Sequence, residues 1–140
     1  MQKEGDGQDL LPRLIKEQEK NGWISEQALK DIAVEINIPI TRVYAVATFY
    51  TYIYTKPQGK YIIELCNSPA CFLNGAMDLI EFLNKELKIK PGQTTKDKKF
   101  SLHIVSCIGC CNTPPALMIN KKVYTSLTPK KLRRILKRCK

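Results

Sequence analysis

No stretch of this sequence approaches the roughly 18 consecutive apolar residues of a membrane-spanning helix. The first residues, Met1-Gln2-Lys3-Glu4-Gly5-Asp6, hold no apolar signal-peptide core. Direct membrane insertion is therefore not expected, and a cytoplasmic location is. Glycine-rich loops that cradle a dinucleotide or a phosphate are also missing, so the chain is not expected to bind a nucleotide cofactor by itself. Histidine is nearly absent: the one residue, His103, stands in a strand-like run and reads as structural rather than as a ligand. Acidic residues are few beside basic ones, 13 against 23, which leaves a net charge of +10. The lysines are scattered and cluster only near the end, at Lys130, Lys131, Arg133, Arg134, Lys137, Arg138 and Lys140. No basic segment carries the interleaved aromatics of a single-strand binder, so nucleic-acid binding is not expected. The charge bears on solubility and association instead.

What the chain does have is an ordinary apolar fraction, 44%, over a length that suits one domain with an appendage. It also has six cysteines. In a reducing compartment these point to metal or redox chemistry rather than to a disulfide framework.

Taken in order, Asp9 is expected to cap a helix with Leu10, Leu11, Leu14 and Ile15 on one stripe, ended by Asn21-Gly22. Trp23 reads as a packing wedge, and Ser25 caps a second helix burying Ala28, Leu29, Ile32, Ala33 and Ile36. After the break at Asn37-Ile38-Pro39, a third helix starts near Thr41 and carries Val43, Tyr44, Val46, Ala47, Phe49 and Tyr50. Residues 1–55 thus form a small three-helix bundle. Its surplus aromatics also suit a docking module. The turn Lys56-Pro57-Gln58-Gly59 separates it from a second part, residues 60–140. There a strand at 60–65 is followed by a helix capped at Ser68-Pro69 and continuing through Leu73, Ala76, Met77, Ile80, Leu83 and Leu87. A loop from Pro91-Gly92 leads to a second strand at 100–106. Pro114-Pro115 prevents an immediate helix. A hairpin of 116–119 and 123–126 turns at Asn120-Lys121, and Thr128-Pro129 caps a last helix with Leu132, Ile135 and Leu136 inward. The order β-α-β-β-β-α, with the last two strands antiparallel, is a thioredoxin-like topology of the α/β class.

Both of the first two strands run straight into cysteines: Cys66-Asn67-Ser68-Pro69-Ala70-Cys71 and Cys107-Ile108-Gly109-Cys110-Cys111. A right-handed strand–helix–strand unit makes those strands parallel neighbours and brings both cysteine pairs to one sheet edge. Cys71 falls in the first turn of a helix, where free N–H groups favour an anionic group. Three chemistries compete on this pattern. Cys66, Cys71, Cys107 and Cys111 could hold an iron–sulfur cluster, since thiolates are the soft ligands it needs. The same four could close on zinc. Cys107 and Cys110 could instead form a thiol–disulfide site of the C-x-x-C type, although Pro114-Pro115 denies that motif its usual helix. Cys110 is left as a spare ligand or packed thiol. Cys139 reads as a surface or helix-face residue.

The residues that decide among these carry a resemblance. Val43-Tyr44-Ala45-Val46-Ala47-Thr48-Phe49-Tyr50, the two cysteine stretches, Gly75-Ala76, Pro114-Pro115, Asn120, Tyr124 and Leu127-Thr128-Pro129 are together similar to the thioredoxin-like [2Fe-2S] family. That family includes the 24 kDa (E) subunit of NADH–quinone oxidoreductase and the small subunits of NAD(P)-linked, often electron-bifurcating, hydrogenases and formate dehydrogenases. The resemblance covers the chain from about Leu10. It implies a thioredoxin-like [2Fe-2S] domain preceded by a helical bundle. It further implies one [2Fe-2S] cluster on Cys66, Cys71, Cys107 and Cys111, in a non-catalytic electron-transfer subunit. The helical part would dock on a larger flavoprotein carrying FMN and the NAD(H) site, within a complex that includes a hydrogenase, formate dehydrogenase or quinone-reductase module. An assembly subunit whose cluster only stabilises docking is the other role open to such a chain. Three positions depart from the family pattern: Cys110 for alanine, Phe72 for histidine, and Asp97-Lys98-Lys99 for a D-G-K turn.

Overall fold

A computed structural model describes residues 9–109 and 112–139. The chain divides into two compact units, Met1–Gln58 and Gly59–Lys140.

The first unit packs three helices, α1 (Leu10–Asn21), α2 (Glu26–Glu35) and α3 (Ile40–Phe49), around Leu10, Leu14, Ile24, Leu29, Ile32, Ala33, Val43, Ala47 and Ile53. Gly22 ends α1 in the left-handed region at φ 77°, its N–H reaching Gln18 O at 2.7 Å. Ser25 caps α2 by accepting from the Ala28 N–H at 3.1 Å. Asp9 does not cap α1: its backbone is already helical and its side chain makes no capping bond. Ile15 also departs from the expected stripe and is exposed, because the buried side of α1 is centred on Leu10 and Leu14. At the joint to α2, Ile24 enters the core and Trp23 stays half-buried. The tail after α3 is fastened by Gln18. Its amide donates to Tyr52 O at 2.8 Å and accepts from the Tyr54 N–H at 2.7 Å.

The second unit is a four-stranded sheet in the order β2-β1-β3-β4, with β1 Tyr61–Cys66, β2 Phe100–Val105, β3 Leu117–Ile119 and β4 Lys122–Tyr124. β1 and β2 are parallel, in the register Tyr61↔Phe100 to Cys66↔Val105, whereas the β1–β3 and β3–β4 pairs are antiparallel. Ile63, Leu65, Phe100, Leu102, Leu117 and Ile119 from the sheet share one core with Leu79, Ile80 and Leu83 of α5 (Ala76–Leu87) and Leu132, Ile135 and Leu136 of α6 (Pro129–Arg138). α6 is capped by Thr128, whose hydroxyl accepts from the Lys131 N–H at 3.2 Å.

The single helix expected after Ser68 is two helices. α4 is only Pro69–Leu73, and α5 begins at Ala76. Gly75 turns the chain between them at φ 96°, a conformation that side-chain-bearing residues avoid. The break uncouples the two apolar faces. Leu73 is 81% exposed and Met77 45%, while Ala76, Leu79, Ile80 and Leu83 form the buried stripe.

Two polar locks hold the sheet. Asn120 and Lys121 turn the β3–β4 hairpin with φ of 45° and 74°, the geometry of a type I′ turn. The Asn120 amide then reaches across to β1, accepting from the Ile62 N–H and donating to Lys60 O, both at 2.8 Å. The other lock is Ser101, fully buried on β2. Its hydroxyl accepts from the Gly59 N–H at 2.7 Å and bonds Thr94 Oγ1 at 2.7 Å. Among the described residues, no helix is long and apolar enough to cross a membrane.

Candidate metal centre

The parallel pairing of β1 with β2 carries their carboxyl ends to the same sheet edge, and the cysteine stretches start there. Cys66 is the last residue of β1, held from both sides: its N–H bonds Ala116 O at 3.1 Å, and the next N–H, of Asn67, bonds Val105 O at 2.9 Å. Cys71 follows in the first turn of α4. Both are buried, 2% and 1% exposed, in a small cluster with Ala76 and Ala116, against which Ile108 packs. α4 has five residues, so its dipole is short, and direct hydrogen bonds supply most of the polarity at the sulfurs.

Cys66 Sγ lies 3.3 Å from Ser68 Oγ and 3.6 Å from Ser106 O. Burial alone would push the Cys66 thiol up. Hydrogen bonds from the Ser68 side chain and backbone, from Cys71 and from the Ile108 backbone outweigh it and hold the thiol below its ordinary value. Cys71 goes the other way. Burial and its position as donor to Cys66 keep it protonated, against opposing bonds from the Ala116 backbone and Ser68. The two sulfurs lie in one buried cluster and titrate as a pair.

Cys107 stands two residues past β2, exposed, its sulfur accepting from the Gly109 N–H at 3.3 Å. Gly109 makes that tight turn at φ 82°. Among the described residues, no three His, Cys, Asp or Glu side chains gather as a metal group. Cys66 and Cys71 converge, then, and the loop that carries Cys107 meets them through Ser106 and Ile108. Cys110 and Cys111 lie outside the described residues, so neither the fourth candidate ligand nor the Cys107–Cys110 pair is placed. His103 sits on β2 away from the strand end, half-buried. Cys139 is partly buried against the main core rather than on the surface, its thiol donating to Ile135 O at 3.5 Å.

The sequence pattern gives Ser68 a different task. It occupies the position before α4 with extended backbone, but its hydroxyl makes no capping bond and turns to Cys66. The Ala116 and Ile108 backbone groups leave no mark in the sequence. The donor set fits an iron–sulfur group: paired soft sulfurs, backbone and hydroxyl donors aimed at them, and alanine methyls that keep water away.

A profile of the thioredoxin-like [2Fe-2S] ferredoxin family matches residues 2–140. The chain belongs to this family. One [2Fe-2S] cluster is accordingly its cofactor. Curated relatives in the family are close. The NADH-quinone oxidoreductase E subunit of Buchnera aphidicola (subsp. Acyrthosiphon pisum, strain APS) is 44% identical over 119 residues, 85% of this chain and 74% of the relative. Its namesake from Rickettsia bellii is 39% identical over 134 residues, 95% of this chain and 80% of the relative. That of Escherichia coli K12 is 39% identical over 88% of this chain and 74% of its own length. Among solved structures, an NAD+-reducing [NiFe]-hydrogenase in the air-oxidized state superposes with a TM-score of 0.83 at 23% identity. It covers 99% of this chain but 23% of the hydrogenase chain, and at that identity the likeness is one of fold. An iron–sulfur, electron-transport subunit of an oxidoreductase is the class these relatives define.

Proposed function

We propose that this ferredoxin-family chain is the small electron-transfer subunit of an NAD(H)-linked oxidoreductase complex, with Cys66, Cys71, Cys107 and Cys111 as the ligands of its [2Fe-2S] cluster. The observation that carries the reading is the Cys66–Cys71 sulfur pair, buried at the end of β1 and flanked by the loop that bears Cys107. When bound, the cluster supplies a one-electron carrier. The chain's own residues supply the setting. Ser68 and the backbone of Ile108 and Ala116 stabilise negative charge on sulfur, and Ala76, Ala116 and Ile108 exclude water.

Two-electron chemistry belongs in this scheme to a partner. The chain has no glycine-rich dinucleotide loop, and its relatives are named as one subunit of an NADH–quinone oxidoreductase. A larger flavoprotein with FMN and the NAD(H) site is the partner with which single electrons are exchanged. Identities of 39% and 44% to those relatives favour a complex I-type assembly over a hydrogenase or formate dehydrogenase. The helical unit, residues 1–55, is the docking part. Its α3 and the tail beyond carry no charged residue from 43 to 55, and Tyr44, Phe49 and Tyr52 are exposed there at 55%, 77% and 39%.

Anaerobic purification with iron and sulfide analysis, followed by reduction, tests the reading. The expected outcome is visible absorbance and a rhombic spin-half signal near g of about 2, lost in both Cys66→Ser and Cys71→Ser. A colourless zinc protein would refute the cluster. A cluster that stays oxidised while the purified complex turns over would leave only an assembly role.

A further inference from the structure

The geometry points to the outer face of α6 as an electrostatic docking surface for an acidic patch on a partner protein of the same complex. This rests on the reading of the chain as a subunit. From Lys130 onward α6 sorts its residues into two faces. Leu132, Ile135 and Leu136 are buried in the core, and every residue from Lys130 to Arg138 that faces outward is basic: Lys130, Lys131, Arg133, Arg134, Lys137 and Arg138.

Lys137 and Arg138 suit the last turn, but the rest of those charges work against the helix that carries them. Lys130 and Lys131 lie in its first turn, at the positive end of the dipole, where no acidic residue offsets them. Lys130 and Arg134, Arg133 and Lys137, and Arg134 and Arg138 are like-charge neighbours one turn apart, an arrangement that destabilises a helix. The fold uses little of this charge. Arg133 lies 3.7 Å from Glu86 and over the Phe82 ring, and Lys131 donates to Thr125 O at 2.8 Å. Among the described residues, Arg133 is the member of α6 that forms an ion pair. The helix is held instead by its three buried apolar residues and the Thr128 cap. A cationic face kept at a cost to its own helix is complementary to an anionic surface on another molecule.

The chemistry selects a protein. A membrane-seated basic helix needs a free apolar face, and the apolar stripe of α6 is already spent on the core. A single-stranded nucleic acid needs aromatic side chains to stack its bases, and α6 has none. An acidic protein patch needs only the charge and a defined face. The effect of such a match falls mainly on the rate of encounter, with the surface steering the subunit into place.

The test compares the cluster-loaded chain with two triple variants: Lys130→Glu/Arg134→Glu/Lys137→Glu, which reverses one stripe of α6, and Lys85→Glu/Lys90→Glu/Lys96→Glu, which changes net charge equally elsewhere. Association with the purified flavoprotein subunit of the same complex is followed by stopped flow from about 20 mM to about 300 mM NaCl, a range over which charge interactions are progressively screened. The α6 variant should associate at least ~10-fold more slowly at low salt and show a flattened salt dependence, with far less change in the control. Equal behaviour of the two variants overturns the docking surface and leaves the electron-transfer reading standing. A wild-type chain that carries its cluster but does not associate with the flavoprotein overturns both. Tighter binding of the wild type to a DNA duplex or to phosphatidylglycerol vesicles than to the flavoprotein, in the same buffer at high salt, also overturns the assignment.

Discussion

Replacing Asn120 should loosen the amino-terminal end of β1, the strand whose other end carries Cys66, and by separable amounts. Its side chain makes two hydrogen bonds to β1, from the Ile62 N–H and to Lys60 O, each 2.8 Å. They lie near solvent, so each contributes about 1 kcal/mol net. Its backbone stands at φ 45°, where alanine costs about 1 kcal/mol and glycine does not. Asn120→Ala should therefore lose about 3 kcal/mol and Asn120→Gly about 2 kcal/mol, the difference isolating the left-handed backbone. The loss falls on β1, the strand that ends in Cys66. Urea unfolding followed by sheet-sensitive circular dichroism gives the totals, and amide exchange at Ile62 gives the local effect. Trp23 fluorescence reports the other unit and serves as the internal control. An Ala variant within about 0.5 kcal/mol of wild type, with Ile62 equally protected, would refute the role assigned to the side chain.

Three further outcomes are expected. Gly59→Ala should destabilise the sheet by at least ~2 kcal/mol, because a Cβ there would stand 2.8 Å from the Phe100 carbonyl carbon and 2.9 Å from its nitrogen, neither of which can yield cheaply; thermal unfolding checks it. Burial holds the His103 imidazole below its ordinary value, so the folded chain favours the neutral ring. Its contribution to stability is then complete above about pH 6.5 and declines as pH falls through that value towards the folded one, and His103→Gln should flatten unfolding curves measured across this window. Cys111→Ser should abolish cluster retention while Cys110→Ser keeps it, read as iron content and absorbance of anaerobic protein; the reverse pattern would transfer the fourth ligand to Cys110.

Most of the architecture was legible in residue order because it rests on local rules. Gly22, Ser25, Thr128 and the Asn120-Lys121 pair each impose a backbone geometry on their immediate neighbours, and the helix ends and hairpin followed. The parallel alignment of β1 and β2 followed as well, since a strand–helix–strand unit has one favoured hand. Where the sequence misled, the reason was a competition between two local rules. The spacing of Leu73, Met77 and Ile80 fits one helix, but Gly75 prefers a left-handed turn and cut that helix in two. Ser68 has the residue type and place of a cap, but the nearby Cys66 sulfur took its hydroxyl.

The sequence by itself determined which residues are available as ligands, that they come in two stretches each behind a strand, and which family they resemble, because ligand chemistry resides in residue type and spacing. Only the tertiary structure decided that Cys66 and Cys71 share one buried cluster, that Ile108 and Ala116 turn backbone groups toward it, and that the loop at 106–108 stands at its border. The contacts with Ile108 and Ala116 join segments distant in sequence, set by sheet register, and no residue-by-residue preference encodes them.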